Sequence, residues 1–322
     1  MPLDALLRDA GWDAPFFKVL AHNDTAAAAG HQAGIVVPKA IRSYFPGLLG
    51  TPSATAPTAD VQLTADLYID TTFVETVDTR FQYQTWGGTR RPEYRVTSGL
   101  SKIRTVASSG DVLIAQRALL DLTRFRFILV KKSSSSYPDV IALIAARRSG
   151  PVVPHDRPVA VADLDGAEAD ESAAEAAPFR LFDLSAAVVT STVYRVARSI
   201  AFQKTVLEIY GHQCCVCGTG LRRPGTKLTE IDAAHVVPRG KRGADDARNG
   251  IAFCKSHHWA FDNGLIGVLA DFRVVVPPIV LGVAGNANLG ALDGTLIRLP
   301  SVTWLRPDLQ ALEWHRAHVL MH

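Results

Sequence analysis

The sequence is poor in cysteine, lacks any long uncharged apolar run and shows no internal repeat, and each absence removes a class of protein. With four cysteines in 322 residues and no apolar secretory segment at the start, the chain reads as cytoplasmic, where thiols stay reduced and metal binding is favoured over disulfides. No stretch approaches the roughly 20 apolar residues that span a bilayer, so no membrane partner is expected. The missing repeat excludes a stacked solenoid, and low complexity is confined to 26–29, 51–59 and 133–136. Neither sign of charge dominates overall, with a net charge of only +3. Residues 156–175, however, hold seven acids against one arginine, and the remainder carries 33 basic and 24 acidic side chains, a balance of +9. Such ends suit a nucleic-acid partner. The acidic stretch 149–178 has few residues able to form a core and reads as a linker. The expected organisation is a first domain over 1–150, a linker over 151–180 and a second domain over 181–322.

Chemistry-bearing residues concentrate between 214 and 262. Cys214-x-x-Cys217 and Cys254-x-x-His257 are two close ligand pairs with 36 residues between them, a spacing suited to a closed tetrahedral zinc site. A lone Cys-x-x-Cys could be a redox pair or two buried apolar residues; the second pair decides for metal. Cys215 breaks the spacing and reads as a small buried residue. Between and after the ligands stand Asp232, His235, Asn249, His258 and Asp262. Metal-assisted hydrolysis of a phosphodiester needs these residue types. A neutral imidazole can take a proton from water near physiological pH. A hard cation held by imidazole and carboxylate offsets charge on the phosphoryl oxygens.

The segments Asp232-Ala-Ala-His235-Val-Val-Pro238, Asn249-Gly-Ile-Ala-Phe-Cys254 and His257-His258-Trp-Ala-Phe-Asp262-Asn-Gly264 resemble the HNH nuclease family, over roughly 195–322. The resemblance implies a two-stranded hairpin and one helix gripping a single catalytic ion, Mg²⁺ or Mn²⁺. His235 would be the general base, Asn249 would orient that ring or its loop, and His258 would be a metal ligand. His257 goes to zinc by its spacing from Cys254. One position departs from the family, because Ala234 stands where Asp or His often ligates the ion. Asp232 is a candidate replacement, sharing a face with Ala234 on an extended segment while His235 points the other way. Asp262, one helical turn after His258, is another, or it serves only as a cap or ion-pair partner. A strand pair over 264–276 and a closing helix over 307–316 complete the domain. Ahead of it, apolar residues at helical spacing predict a helix over 193–210. Its Arg195, Arg198 and Lys204 form either a solvated face or, with Arg239, Lys241 and Arg242, a set of phosphate contacts.

The first 150 residues have a different texture. Short β-branched or aromatic segments at 16–20, 34–37, 61–68, 81–85, 94–97 and 125–129 predict strands. A short helix around 3–8 and helices over 41–45 and 112–121 complete a barrel-like domain of mixed content. Two polar patches stand out, one with Lys18, Asn23, Asp24, Thr25, His31 and Gln32, the other with Arg90, Arg91, Glu93, Arg95 and Thr97. Together they resemble the amino-terminal DNA-recognition domain of the EcoRII restriction endonuclease family, over about 10–150. That resemblance implies a B3-like pseudobarrel laying two arms into the major groove. Asn, Gln and Arg suit the task because they can make paired hydrogen bonds to base edges. Ala26 to Ala29, and Ser98-Gly99-Leu100 after the second patch, depart from the family and leave the target sequence open.

The expected fold class is α+β, a B3-like β pseudobarrel followed by a zinc-stabilised ββα-metal domain. The expected function is that of a type II restriction endonuclease hydrolysing duplex DNA, with structural Zn²⁺ and catalytic Mg²⁺ or Mn²⁺. Two alternatives stand beside it: cleavage that depends on methylated or phosphorothioated DNA, and a zinc-containing DNA-binding protein with a dead centre. One centre per chain implies a homodimer or two successive nicks, and a cognate DNA methyltransferase would act separately.

Overall fold

The computed structural model describes residues 2–9, 11–27, 34–86, 91–183, 192–224 and 228–322, and of 192–195 the backbone alone. It divides into two compact units, Met1–Asp163 and Leu164–His322, and its class is α+β. No described helix is long and apolar enough to cross a membrane.

The first unit is one eight-stranded sheet with short helices. In chain order its elements are α1 (Leu3–Leu7), β1 (Phe16–Val19), β2 (Ile35–Val36), β3 (Thr58–Ile69), β4 (Thr72–Gln84), β5 (Glu93–Thr97), α2 (Ser101–Val106), β6 (Val112–Arg117), β7 (Arg124–Val130), α3 (Tyr137–Ile144) and β8 (Ser149–Pro151). The strand order is β2-β5-β4-β3-β7-β6-β1-β8. β3 and β7 pair in parallel, and the neighbours on either side pair antiparallel.

Alternation of side chains sorts the sheet into two cores. Phe16, Leu113, Ala115 and Phe127 face one, where Phe45 stacks on Phe81 at 4.6 Å and on Phe125 at 5.0 Å. Phe17, Val112, Ile114 and Ile128 face the other, beneath Leu6 of α1 and Val140 and Ile144 of α3.

Three expectations need correction here. The segment expected as a helix over 112–121 forms β6, all six residues of which are buried. A run buried on both faces carries neither helical nor strand period, and pairing with β1 and β7 decides its state. The segment over 41–45 is only a 3₁₀ turn, Lys39–Tyr44.

The stretch expected as a linker is ordered at both ends. β8 pairs with β1, Val152 and Val159 are buried, and the buried guanidinium of Arg117 donates to the Val159 carbonyl and to Asp13, each at 2.8 Å. Beyond it runs the 16-residue helix α4 (Val161–Ala176). Its buried positions Leu164, Ala167 and Glu171 fall three and four apart, which is a helical stripe that a composition count overlooks.

In the second unit α4 is followed by α5 (Thr192–Ile209), β9 (Asp232–His235), β10 (Gly250–Phe253), α6 (Lys255–Asp262), β11 (Gly267–Val268), β12 (Val274–Val275), α7 (Pro278–Leu281) and α8 (Leu309–His318). β9 and β10 form an antiparallel hairpin with His235 opposite Gly250 and Asp232 opposite Phe253. α6 follows directly, so hairpin and helix make a continuous ββα unit. α5 packs against β9 and β10. α4 lies on α5, with the Thr205 hydroxyl 3.0 Å from Glu171 Oε2 and Lys204 Nζ 2.8 Å from Glu168. Lys204 is thus engaged inside the unit, and so is Arg198, 2.7 Å from Asp183; the side chain of Arg195 lies outside the described residues.

Burial, reinforced by the nearby Glu175, Asp245 and Asp246 and opposed by the Thr205 hydrogen bond, pushes Glu171 up to about 8. The folded chain therefore keeps a proton that the unfolded chain has released, and stability falls as pH rises from about 4.5 to 8. Glu171→Gln, which retains an acceptor for Thr205, is expected to flatten that slope, removing on the order of 1 kcal/mol per pH unit. Thermal melts of both proteins across the window check it, and parallel slopes contradict it.

Candidate functional site

Cys214, Cys217, Cys254 and His257 converge, with all four ligand atoms within 4.8 Å of one another. His257 Nδ1 lies 3.3 Å from Cys214 Sγ and 3.2 Å from Cys254 Sγ, and the Cys217 and Cys254 sulfurs are 4.0 Å apart. Sulfurs bound tetrahedrally to zinc at about 2.3 Å stand about 3.8 Å apart, so the cluster could hold zinc. Local geometry builds it. Between the first two cysteines the chain turns so that the Gly218 amide donates to the Cys214 carbonyl at 2.9 Å. Cys254 is the N-cap of α6, and His257 follows on its first turn. Burial pushes the thiols of Cys254, up to about 12, and Cys214 upward. For the exposed Cys217, partial desolvation is outweighed by hydrogen bonds from Thr219 and Cys214 and by the charge of His257, and its thiol is drawn down to about 7. A divalent cation would displace the remaining protons. Cys215 is fully buried and outside the cluster, its amide donating to the Ala252 carbonyl on β10 at 2.8 Å.

The neighbouring cleft is a cavity of about 390 Å³ lined by Ala233, His235, Val236, Pro238, Arg239, His258, Asp262, His315 and Val319. Strand alternation delivers Ala233 and His235 to it, while Asp232 is absent from its lining. The His235 ring stacks on Phe202 of α5 at 3.8 Å and 13°, and its Nε2 lies 3.0 Å from Asp245 Oδ1. The Asp245 side chain is 6% exposed and also pairs with Arg239 at 3.2 Å and Arg198 at 3.3 Å. No spacing in the sequence announces Asp245, because loop closure alone brings it to His235.

That closure is held by Asn249. It is fully buried, accepts from the Val237 amide at 2.8 Å, and donates to the carbonyls of Val237 at 3.1 Å and Ala244 at 2.9 Å. It clamps the loop and makes no hydrogen bond to the imidazole of His235. Gly243 is required at the same crossing, since a Cβ there would sit 1.8 Å from the Val237 carbonyl oxygen.

His258 stands between two carboxylates on opposite ring nitrogens. Nδ1 is 3.0 Å from Asp232 Oδ2 and Nε2 is 3.4 Å from Asp262 Oδ2. The other oxygen of Asp232 accepts from Lys255 at 2.5 Å. The Asp232 hydrogen bond, against partial burial and with help from the charge of Asp262, raises His258 above the ordinary histidine range. For Asp232 itself, burial is outweighed by the hydrogen bonds from His258 and Lys255, and it falls below the usual carboxylate range; burial raises Asp262.

The HNH endonuclease family model matches residues 214–269. That segment is an HNH endonuclease domain. Curated proteins gave no match. Among solved structures, the modification-dependent TagI restriction endonuclease is 25% identical over 37% of this chain and 37% of its own, with a TM-score of 0.30. The chain therefore spans well under half of that enzyme's length. The B3 domain of the UbaLAI restriction endonuclease, solved with cognate DNA, is 19% identical over 46% of this chain and 89% of its own, with a TM-score of 0.32.

Around the HNH domain and in the first unit, the residues expected to touch DNA divide into three groups. His31, Gln32 and Arg90 lie outside the described residues. Asn23, Arg91, Lys241 and Arg242 are exposed, while Glu93 and Arg239 are half-buried. Lys18, Asp24, Thr25, Arg95 and Thr97, expected as DNA contacts, are buried, and their polar groups bond within the protein itself. Asp24 accepts from Lys18 Nζ at 2.6 Å and from the amides of Ala21 and Val36 at 2.8 and 2.9 Å. Burial pulls the Lys18 ammonium down against the attraction of Asp24. The Thr25 hydroxyl donates to the His22 carbonyl at 2.8 Å. Arg95 pairs with Glu93 at 2.8 Å and donates to the Gly34 carbonyl at 3.3 Å, and the Thr97 hydroxyl accepts from Arg80 at 3.0 Å. A turn folded onto a sheet buries backbone amides and carbonyls, and these side chains satisfy them.

Cys254 serves both as cluster ligand and as N-cap of α6. Metal analysis of the purified chain is expected to find one equivalent of zinc. Cys254→Ser is expected to lose it and unfold the second unit, since structural zinc contributes on the order of 10 kcal/mol in small modules. Zinc-free wild-type protein that remains folded contradicts this.

Proposed function

We propose that the chain is a sequence-specific endonuclease of the type II restriction class, with a B3-like first unit that selects a site in duplex DNA and an HNH domain that cuts it. The observation that carries the reading is His235, oriented by Asp245 and facing His258 and Asp262 across one cavity within the HNH match.

Asp245 accepts the proton on Nε2 of His235, which leaves Nδ1 as the basic nitrogen to take a proton from the attacking water. Asn249 acts through the loop it clamps and is a positioning residue. His258 Nε2 and Asp262 Oδ2 would hold the catalytic ion: ligand atoms at right angles around magnesium stand about 3 Å apart, and these are 3.4 Å apart. When bound, Mg²⁺ or Mn²⁺ supplies positive charge to the phosphoryl and leaving oxygens. Asp232, hydrogen-bonded to the other nitrogen, fixes the ring of His258 and raises its basicity. Exposed Lys241 and Arg242 beside the cleft, and Asn23 and Arg91 in the first unit, offer contacts to duplex DNA.

Supercoiled plasmid, with and without base or phosphorothioate modification, incubated with the chain and Mg²⁺ or Mn²⁺, tests the reading. Cleavage of unmodified DNA at a common sequence is expected. Direct conversion to linear product indicates a homodimer cutting both strands, whereas prior accumulation of open circles indicates successive nicks. His235→Ala is expected to bind DNA normally and lose cleavage by at least 10²-fold. Asp245→Asn is expected to lose on the order of 10²-fold, because an amide that donates to Nε2 reverses the tautomer. Cutting confined to modified plasmid contradicts plain-sequence recognition, and no cutting of any duplex contradicts the nuclease assignment.

A further inference from the structure

A polar side chain in the cleft wall that this mechanism leaves unused is His315, on α8. It is 2% exposed, and its ring lies flat on Phe261 with centroids 3.7 Å apart at 8°. Its Nε2 is 3.0 Å from the Phe261 carbonyl oxygen. A carbonyl can only accept, so Nε2 carries the proton. Nδ1 has no hydrogen-bond partner among the described residues, so the ring directs its polarity to that one carbonyl. Burial drives His315 down to about 4, and the ring stays neutral at working pH.

The carbonyl belongs to the peptide joining Phe261 to Asp262, at the end of α6, where the last carbonyls lack intrahelical donors. The helix closes with Gly264 at a φ of 70°, its amide donating to Phe261 O at 3.0 Å, while Leu265 N donates to Ala260 O at 2.8 Å. Phe261 O thus receives two donors, one from the helix's own turn and one from His315. The segment that follows α8 holds the same turn again through Met321 N, 3.0 Å from Gly264 O. Fixing the plane of the 261–262 peptide fixes the direction in which Asp262 leaves the backbone.

We infer that His315 is a positioning residue that holds the Asp262 carboxylate on the catalytic ion by hydrogen-bonding the Phe261 carbonyl. The inference rests on the reading of Asp262 as a ligand. A buried histidine with one unmet nitrogen is a poor packing element, since a buried polar atom left without a partner is destabilising. Phenylalanine would fill the same space and stack equally well, so packing and positioning make opposite predictions for that substitution.

Zinc-loaded protein titrated with MnCl₂ alone, with free Mn²⁺ read by electron paramagnetic resonance, measures ion affinity without DNA or turnover. His315→Phe keeps the stack and removes the donor; it is expected to bind Mn²⁺ about 10-fold or more weakly, with zinc content and circular dichroism unchanged. His315→Gln, whose amide nitrogen can reach the carbonyl, is expected to stay within about threefold of wild type. Wild-type affinity in the phenylalanine variant overturns the inference. If that variant fails to fold, the glutamine variant decides: folded and 10-fold weaker, it overturns the inference; folded and near wild type, it supports it. Asp262→Asn in the same titration separates the two levels. Wild-type protein that takes up no Mn²⁺, or an Asp262→Asn variant that binds it unchanged, overturns the ligand assignment and this inference together. Loss in Asp262→Asn with no loss in His315→Phe overturns this inference alone.

Discussion

The His258 side of the cleft depends on where α6 is held. The helix is only eight residues long, too short to be stable alone in water, and its position comes from its two ends. At the first, Cys254 caps the helix and His257 completes the Cys₃His cluster. At the second, a left-handed glycine and α8 close the final turn. His257 and His258 are consecutive, and successive residues on a helix diverge by about 100°, so one joins the thiol cluster while the next enters the cleft. A cluster that fixes His257 to a few tenths of an ångström fixes His258 as well. Ligand binding at the cluster and geometry in the cleft are two consequences of one placement; on the proposed reading, a structural ion would thereby convert folding energy into preorganisation of the catalytic ion's site.

His235 is held on different principles. A ring on a two-stranded hairpin has little around it to fix its rotation, and three elements supply what the hairpin lacks. Phe202 from α5 limits the ring to one plane, Asp245 selects its tautomer, and Asn249 ties the loop that carries Asp245. A buried carboxylate is costly unless compensated. Asp245 is compensated by Arg198 and Arg239 as well as by His235, so one carboxylate joins helix, loop and strand. Arg198 and Arg239, which look like phosphate contacts in a linear sequence, are engaged in this junction, and of the described candidates Lys241 and Arg242 stay exposed.

The parts of the molecule legible in its sequence are those set by short-range geometry. Two-residue spacings on a turn and at a helix start define the cluster, and the hairpin, α6 and the closing helix follow from segments a few residues long. What escaped is set by contacts distant in sequence. β6 is apolar throughout and has no period of its own; its neighbours make it a strand. α4 is rich in acids, yet Leu164, Ala167 and Glu171 give it a buried stripe, and composition averages that stripe away. On the proposed reading, the choice between Asp232 and Asp262 turns on which ring nitrogen each one meets, which residue spacing does not encode.

The polar loops of the first unit show why residue type alone overstates contact. Lys18, Asp24 and Arg95 are the residues a reader of DNA would be expected to present, and all three face inward. An inward lysine–aspartate pair adds little net stability, because desolvation offsets much of the attraction. What it does provide is a fixed turn over residues 21–25: Asp24 binds two backbone amides 15 residues apart, Ala21 and Val36, and Arg104 holds the carbonyls of Asp24 and Thr25 at 3.0 Å. A turn fixed this way loses little conformational entropy when a partner docks. On the proposed reading, the exposed Asn23 is the chemical contact and the buried ions are the frame that keeps it in register, which divides recognition between residues that touch the duplex and residues that never reach it.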